Sequence, residues 1–344
     1  GGGGDRVVVV GGAMGYRVGE HAGPYEVLQL LGRGTFGEVL LARDRQQLRH
    51  RVALKTVACD QLTSEAADRI RQAALTEAQL LQQLRHPHIV RCEGVQCDLE
   101  RRVVWLALEF MDGGDAQSLV ERQRQAGGPP FEAHFLRRVL ASVGSALQYV
   151  HAEGVLHRDV KPANILLARR SGRIKLGDFG ISKLLERTPM ARTVVGTPYY
   201  LAPEIVSGEA YGPAADAWAL GVCLYEFAAL RRPFEAGNPL ALVRRICEEP
   251  PAELPQATPG DIRRAVAGLL DREPGRRLAL PQALAVSDAV AALAAAPTEE
   301  SQLAAQSPRG SRACSRELSP LPCEDLSPVS VATSAWGGSQ SEAG

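Results

Sequence analysis

The feature that most restricts this chain is a polar run, His157-Arg158-Asp159-Val160-Lys161-Pro162-Ala163-Asn164, followed fourteen residues later by Asp178-Phe179-Gly180. Asp159 can accept a proton from an attacking hydroxyl. Lys161 can neutralise a phosphate in transfer. Asn164 offers an oxygen to a metal ion, and Asp178 offers a second, charged one. Magnesium favours few carboxylates together with phosphate oxygens, and these residue types meet that preference. Taken singly, each group reads equally as part of a surface turn. Their occurrence together and in this order is what points to chemistry.

Two weaker signals lie upstream. Leu31 leads into Gly32-Arg33-Gly34-Thr35-Phe36-Gly37-Glu38-Val39, which is flanked by the strand-like runs YEVLQLL and EVLLARD. Glycines at this spacing let the backbone come close to a bound group, with amide N–H groups facing phosphate oxygens. A tight hairpin would use them as well. Val52-Ala53-Leu54-Lys55 then sets a lysine inside an apolar strand. A buried ammonium is costly unless paired, and Glu77, on a helix-like stretch from Ser64 to Leu84, is a candidate partner. The alternative is a surface lysine on an edge strand.

The 344 residues divide by pattern into four parts. Residues 1–24 are glycine-rich and read as a disordered leader. Val7 to Val10 and the glycines after them hint at a dinucleotide-binding turn, but Gly19, Gly23 and Pro24 follow where a helix would have to open. Residues 25–111 are strand-like with one helix. Residues 112–296 are mainly helical, with an apolar stripe from Phe131 to Ala152 and an almost wholly apolar stretch from Ala214 to Leu230. Such a stretch predicts a central buried helix. Shorter helices are expected over 240–247, 261–270 and 280–295. Residues 297–344 hold ten serines and three Ser-Pro pairs and read as a disordered tail.

Charge narrows the choice of partners. Thirty-nine basic and 39 acidic residues cancel, which argues against a nucleic-acid partner or a polybasic membrane binder. No stretch reaches the roughly 20 apolar residues of a membrane span, so no membrane insertion is expected. The seven cysteines are scattered and odd in number, without zinc-site spacing. They read as reduced thiols in an intracellular, cytoplasmic setting.

In sum the motifs resemble the eukaryotic protein kinases, of serine/threonine type. The Gly-rich loop, Val-Ala-x-Lys, His-Arg-Asp, Asp-Phe-Gly and Ala202-Pro203-Glu204 occur in that family's order between about Tyr25 and Leu284. Within the family, KLGDFGISKLL, TVVGTPYYLAPEI, DAWALG and EAQLLQQLRHPHIV are most similar to the NimA-related kinases. The resemblance implies an α+β, two-lobed fold: a five-stranded antiparallel sheet with one main helix over a larger helical lobe. It implies ATP and Mg2+ as cofactors and Ser/Thr-bearing protein substrates. By the same resemblance Asp159 is the catalytic base and Lys161 a γ-phosphate contact. Lys55 pairs with Glu77 and holds the α- and β-phosphates, while Asn164 and Asp178 ligate the metal. Residues 31–39 cover the nucleotide, Val39 and Ala53 lie over the adenine, Leu108 stands behind it, and Glu109 to Met111 form the hinge. Asp216 braces the His-Arg-Asp loop, and Glu204 pairs with buried Arg277.

Lys161 and Thr197 lie in segments that look like serine/threonine rather than tyrosine kinases. Arg158 and Lys183 are placed to bind a phosphate on Thr193, added by an upstream kinase or by autophosphorylation; both can equally be solvated basic residues. Three departures from the family pattern concern geometry and not chemistry: a long connection from Lys55 to Glu77, Leu278 where many relatives have proline, and Ala116 where leucine is usual. A nucleotide-binding scaffold without turnover is the competing reading, although none of the expected catalytic residues is missing.

Overall fold

The structure, a computed structural model, describes residues 15–34, 37–58, 79–98, 100–101, 103–169, 171–179 and 198–296. The smaller lobe is an antiparallel sheet. Its strands are β1 (His21–Ala22), β2 (Tyr25–Gly34), β3 (Gly37–Asp44), β4 (Arg51–Ala58), β5 (Cys92–Asp98) and β6 (Val103–Glu109), in the order β1-β2-β3-β4-β6-β5. Helical residues 79–83 (α1) precede β5.

Alternation along β4 and β6 gives this sheet two faces. Val52 and Leu54 pack with Val103, Trp105 and Ala107 in one cluster. On the other face Val57, Val104 and Leu106 join the main core. Lys55 stands opposite Leu106, and Ala53 opposite Leu108, in the β4–β6 register. Lys55 therefore belongs to the face turned to the larger lobe.

Two expectations need correction here. The sheet has six strands and not five, and the leader does not extend to residue 24. Tyr16 is buried, Ala22 is fully buried, and both complete the cluster on the outer face. The Tyr16 hydroxyl donates to Asp98 Oδ2 at 2.6 Å, and Arg101 lies over its ring while donating to Glu20 Oε2 at 2.7 Å. Two short apolar contacts separated by glycines carry no period, so the pattern gave no warning of this packing.

The larger lobe contains β7 (Gly114–Asp115), β8 (Ile165–Leu167) and β9 (Ile174–Leu176) as a small sheet. Its helices are α2 (Ala116–Gln125), α3 (Ala133–Ala152), α4 (Pro203–Val206), α5 (Pro213–Ala229), α6 (Pro239–Glu248), α7 (Gly260–Leu269), α8 (Leu280–Leu284) and α9 (Asp288–Ala295). Helix α3 buries Leu136, Val139, Leu140, Val143, Leu147 and Val150, the i, i+3, i+4 stripe of an amphipathic helix. Helix α5 is buried from Ala215 through Ala228 on every side, as its composition predicts. It packs against α3 and α7. The single helix expected over 280–295 is instead two, because Ser287 caps α9 by accepting from Val290 N.

Two of the departures from the family pattern are accommodated locally. Leu278 lies over Gly268, where a Cβ would come within 2.9 Å of the Leu278 Cβ. Ala116 is fully buried at the first position of α2. The expected pair of Glu204 and Arg277 is bidentate, at 2.6 and 2.9 Å, and buried. Arg277 also donates to the carbonyls of Asp271, Ala214 and Arg272 and lies over the Trp218 ring.

Asp261, in the first turn of α7, accepts from Arg137 Nε at 2.7 Å and Ser287 Oγ at 2.8 Å, which ties α7 to α3 and to the cap of α9. The hydrogen bonds from the Arg137 guanidinium lower its carboxyl to about 2. A depressed carboxylate contributes stability above its unfolded value and loses it as pH falls through the folded one. Asp261→Asn should therefore cost about 1–2 kcal/mol at pH 7, with the gap to wild type closing below about pH 3. Urea unfolding of both proteins across pH 2–7 measures this.

Candidate active site

Asp159 sits on the loop between α3 and β8, and a buried carboxylate fixes that loop from below. Asp216, with no exposed surface, accepts from His157 N at 2.9 Å and His151 Nε2 at 2.8 Å on one oxygen. Its other oxygen accepts from Arg158 N at 2.9 Å and the Tyr211 hydroxyl at 2.8 Å. Burial alone would raise the Asp216 carboxyl. The hydrogen bond from His151, and the charges and amide bonds beside it, hold it below its ordinary value. Asp216 was legible in the sequence; His151 and Tyr211 were not, since nothing in their local pattern marks them as its partners.

These contacts hold Arg158 at φ 67°, a left-handed conformation that costs a non-glycine residue about 1–3 kcal/mol. His157 is fully buried, and burial holds its imidazole below the usual value, hence neutral. Its Nε2 meets Gly177 O at 3.0 Å and its Nδ1 accepts from Asp159 N at 3.3 Å. One tautomer, protonated on Nε2, satisfies both contacts. The ring also packs on Phe179, with centroids 4.6 Å apart.

The residues expected to act converge on this frame. Lys161 Nζ donates to Asp159 Oδ2 at 2.8 Å. Asn164 Nδ2 donates to the same oxygen at 3.0 Å and to Asp159 O at 2.7 Å. That commits the amide nitrogen to Asp159 and leaves the amide oxygen available to a cation. Gly177 N donates to Asn164 O at 2.9 Å, so the residue preceding Asp178 is tied to the catalytic loop. Asp178 adopts φ 57°, and its carboxylate is half exposed. Lys55 Nζ pairs with Asp178 Oδ1 across the space between β4 and β9.

The Gly-rich hairpin forms as expected, with Gly34 opposite Gly37 and Val39 opposite Lys55. Gly37 is required for a reason the sequence did not show: a Cβ there would lie 1.9 Å from Thr56 O. Gly32 instead borders open space, where backbone can approach a ligand. Arg33 Nε pairs with Glu38 Oε1 at 3.0 Å, and Leu31 is exposed. Leu108 and Glu109 end β6, and Met111 is buried just beyond. Thr35, Phe36, Glu77, Lys183, Thr193 and Thr197 lie outside the described residues.

No three His, Cys, Asp or Glu side chains converge as a metal cage among the described residues. One amide oxygen, of Asn164, and one carboxylate, of Asp178, suit a metal that keeps phosphate and water ligands. Among the described residues no helix is long and apolar enough to cross a membrane.

A family model described as "Protein kinase domain" matches residues 25–287, and the chain belongs to that family. Among curated proteins it is 36% identical over 261 residues to Serine/threonine-protein kinase Nek8 of Danio rerio, covering 76% of this chain and 36% of that protein. It is 35% identical over 254 residues to Serine/threonine-protein kinase Nek4 of Mus musculus, covering 74% and 31%. It is 34% identical over 253 residues to Serine/threonine-protein kinase Nek3 of Oryza sativa subsp. japonica, covering 74% and 42%. The chain thus spans about a third of the length of these relatives.

If Asp216 anchors the loop, its removal strands several donors at once. Asp216→Ala should lower the unfolding free energy by about 3–5 kcal/mol, and Tyr211→Phe by about 1 kcal/mol. Chemical denaturation monitored by tryptophan fluorescence measures both; similar small losses for the two would contradict the anchoring role.

Proposed function

We propose that this chain transfers the γ-phosphoryl group of ATP to Ser or Thr hydroxyls of protein substrates. The observation that carries the reading is the convergence of Lys161 and Asn164 on the Asp159 carboxylate, with Lys55 reaching Asp178 from the other lobe. Asp159 accepts the proton of the attacking hydroxyl. Lys161, already on Asp159, meets the charge of the transferring group. Lys55 exchanges Asp178 for the α- and β-phosphates when nucleotide enters, supported by Glu77. Asn164 and Asp178 hold magnesium, which when bound neutralises charge on the β- and γ-phosphates. Residues 31–39 cover the phosphates, Val39, Ala53 and Leu108 enclose the adenine, and the hinge backbone from Glu109 to Met111 hydrogen-bonds it. Catalysis is then mostly positioning and charge neutralisation.

Regulation is proposed at Thr193, phosphorylated by an upstream kinase or by the chain itself, with Arg158 and Lys183 receiving the phosphate and Thr197 near Asp159. The Arg158 guanidinium lies over the Tyr211 ring, 5.8 Å from its centroid, and Arg158 is only half-buried, which supports this reading. The proposed division is a smaller lobe over 25–111, with Tyr16 and Ala22 packed on its outer face, and a larger one over 112–296, acting in an intracellular, cytoplasmic setting.

Two measurements test this reading. Asp159→Asn should cut phosphotransfer to a generic acceptor by about 10²–10⁴ while leaving ATP binding intact; equal transfer by both proteins would refute the assignment. Thr193→Ala should lower both activity and the phosphate found on 181–201 by mass spectrometry; no change in either would remove Thr193 from the account.

A further inference from the structure

One charged pair, with one member in each lobe, is not used by the chemistry above. Lys175, in the middle of β9, is 1% exposed, and its neighbours Ile174 and Leu176 are equally buried. Its Nζ donates to Glu109 Oε2 at 2.8 Å, and the Glu109 side chain is itself largely buried. The same Oε2 accepts from Arg91 N at 3.3 Å, while Glu109 N donates to Arg91 O at 2.9 Å. The backbone of 88–90 is in turn fastened to β9. Val90 N donates to Leu176 O at 2.9 Å, Leu176 N donates to His88 O at 2.8 Å, and the His88 ring meets Ile174 O at 2.8 Å. Three segments meet here: the chain entering β5, the residue that ends β6, and the strand that leads to Asp178.

Such a pair is a poor device for stability alone. Desolvating an ammonium and a carboxylate offsets most of their attraction, and apolar side chains of similar size often serve as well or better. Lys175 also interrupts a strand that apolar residues otherwise fill. What the pair does, and apolar packing would not, is fix direction. It connects Glu109, the first hinge residue, to a point three residues before Asp178. Adenine recognition and metal binding would thereby be held in one frame, and small displacements there are costly, since about 1 Å of misplacement can lose 10²-fold in rate.

We infer that Lys175 and Glu109 are positioning residues for nucleotide: their buried ion pair holds the adenine-contacting hinge in register with the strand that presents Asp178. The inference rests on the phosphotransfer reading, and the two fail separately. If Asp159→Asn transfers phosphate as well as wild type, the phosphotransfer reading falls. The pair is judged on variants that do transfer.

The experiment compares wild type with Lys175→Met, Lys175→Arg and the double variant Glu109→Met with Lys175→Met. Each is read for thermal midpoint, for the KM of ATP and of a peptide acceptor, and for kcat. Lys175→Met should raise the ATP KM at least about fivefold with the peptide KM unchanged, and Lys175→Arg should recover most of that loss. The double variant removes both members of the pair together, so its thermal midpoint should return to within about 2–4 °C of wild type, while its ATP KM stays raised. Recovery of both stability and ATP KM in the double variant would make the pair merely structural and overturn the proposal. An unchanged ATP KM in both Met variants, or an equal rise in ATP and peptide KM, would overturn it as well. Should Lys175→Met fail to fold, the double variant and Lys175→Arg still decide the question through the same ratio.

Discussion

The site depends on one desolvated carboxylate. Asp216 has four hydrogen bonds and no exposed surface, and a buried charge in that position is tolerable only because these bonds are made. Its donors come from the end of α3, from two consecutive amides of the catalytic loop and from the turn before α5. The loop cannot move without breaking several of them at once. That constraint sustains the left-handed backbone at Arg158, sets the neutral His157 between Asp159 and Gly177, and so passes from helix α5 to the residues preceding Asp178. Preorganisation of this kind is what phosphoryl transfer asks of a protein, because the protein contributes mainly position and charge.

The two lobes solve different physical problems. Helix α5 is apolar on all sides and can only be a core element, with α3 and α7 packed on it. The smaller sheet must instead leave one face partly polar, so that Lys55 can stand among Ala53, Leu106 and Leu108. Its opposite face is closed by Tyr16 and Ala22, residues that precede the family's matched region.

Much of this was legible in the sequence because the signals were local. A run such as Ala214 to Leu230 has few options besides a buried helix, and the order of His157-Arg158-Asp159, Asn164 and Asp178-Phe179-Gly180 specified a chemistry before any geometry was known. What stayed hidden was non-local. Tyr211 and His151 become partners of Asp216 only through the fold. Lys175 reads as an ordinary residue in an apolar strand until Glu109 arrives beside it from another lobe. Gly37 looked like a phosphate-loop glycine, yet the Thr56 carbonyl alone would forbid a side chain there. The break at Ser287 depended on a cap hydrogen bond, which an apolar periodicity running through it concealed.

The central claim is that residues far apart in sequence gather around one metal-bound triphosphate. A crystal structure of the chain with magnesium and a non-hydrolysable ATP analogue tests it most directly. The account predicts magnesium between the Asn164 amide oxygen and the Asp178 carboxylate, with Lys55 moved onto the phosphates. Nucleotide bound elsewhere, or Lys55 still on Asp178 with no metal at Asn164, would contradict it.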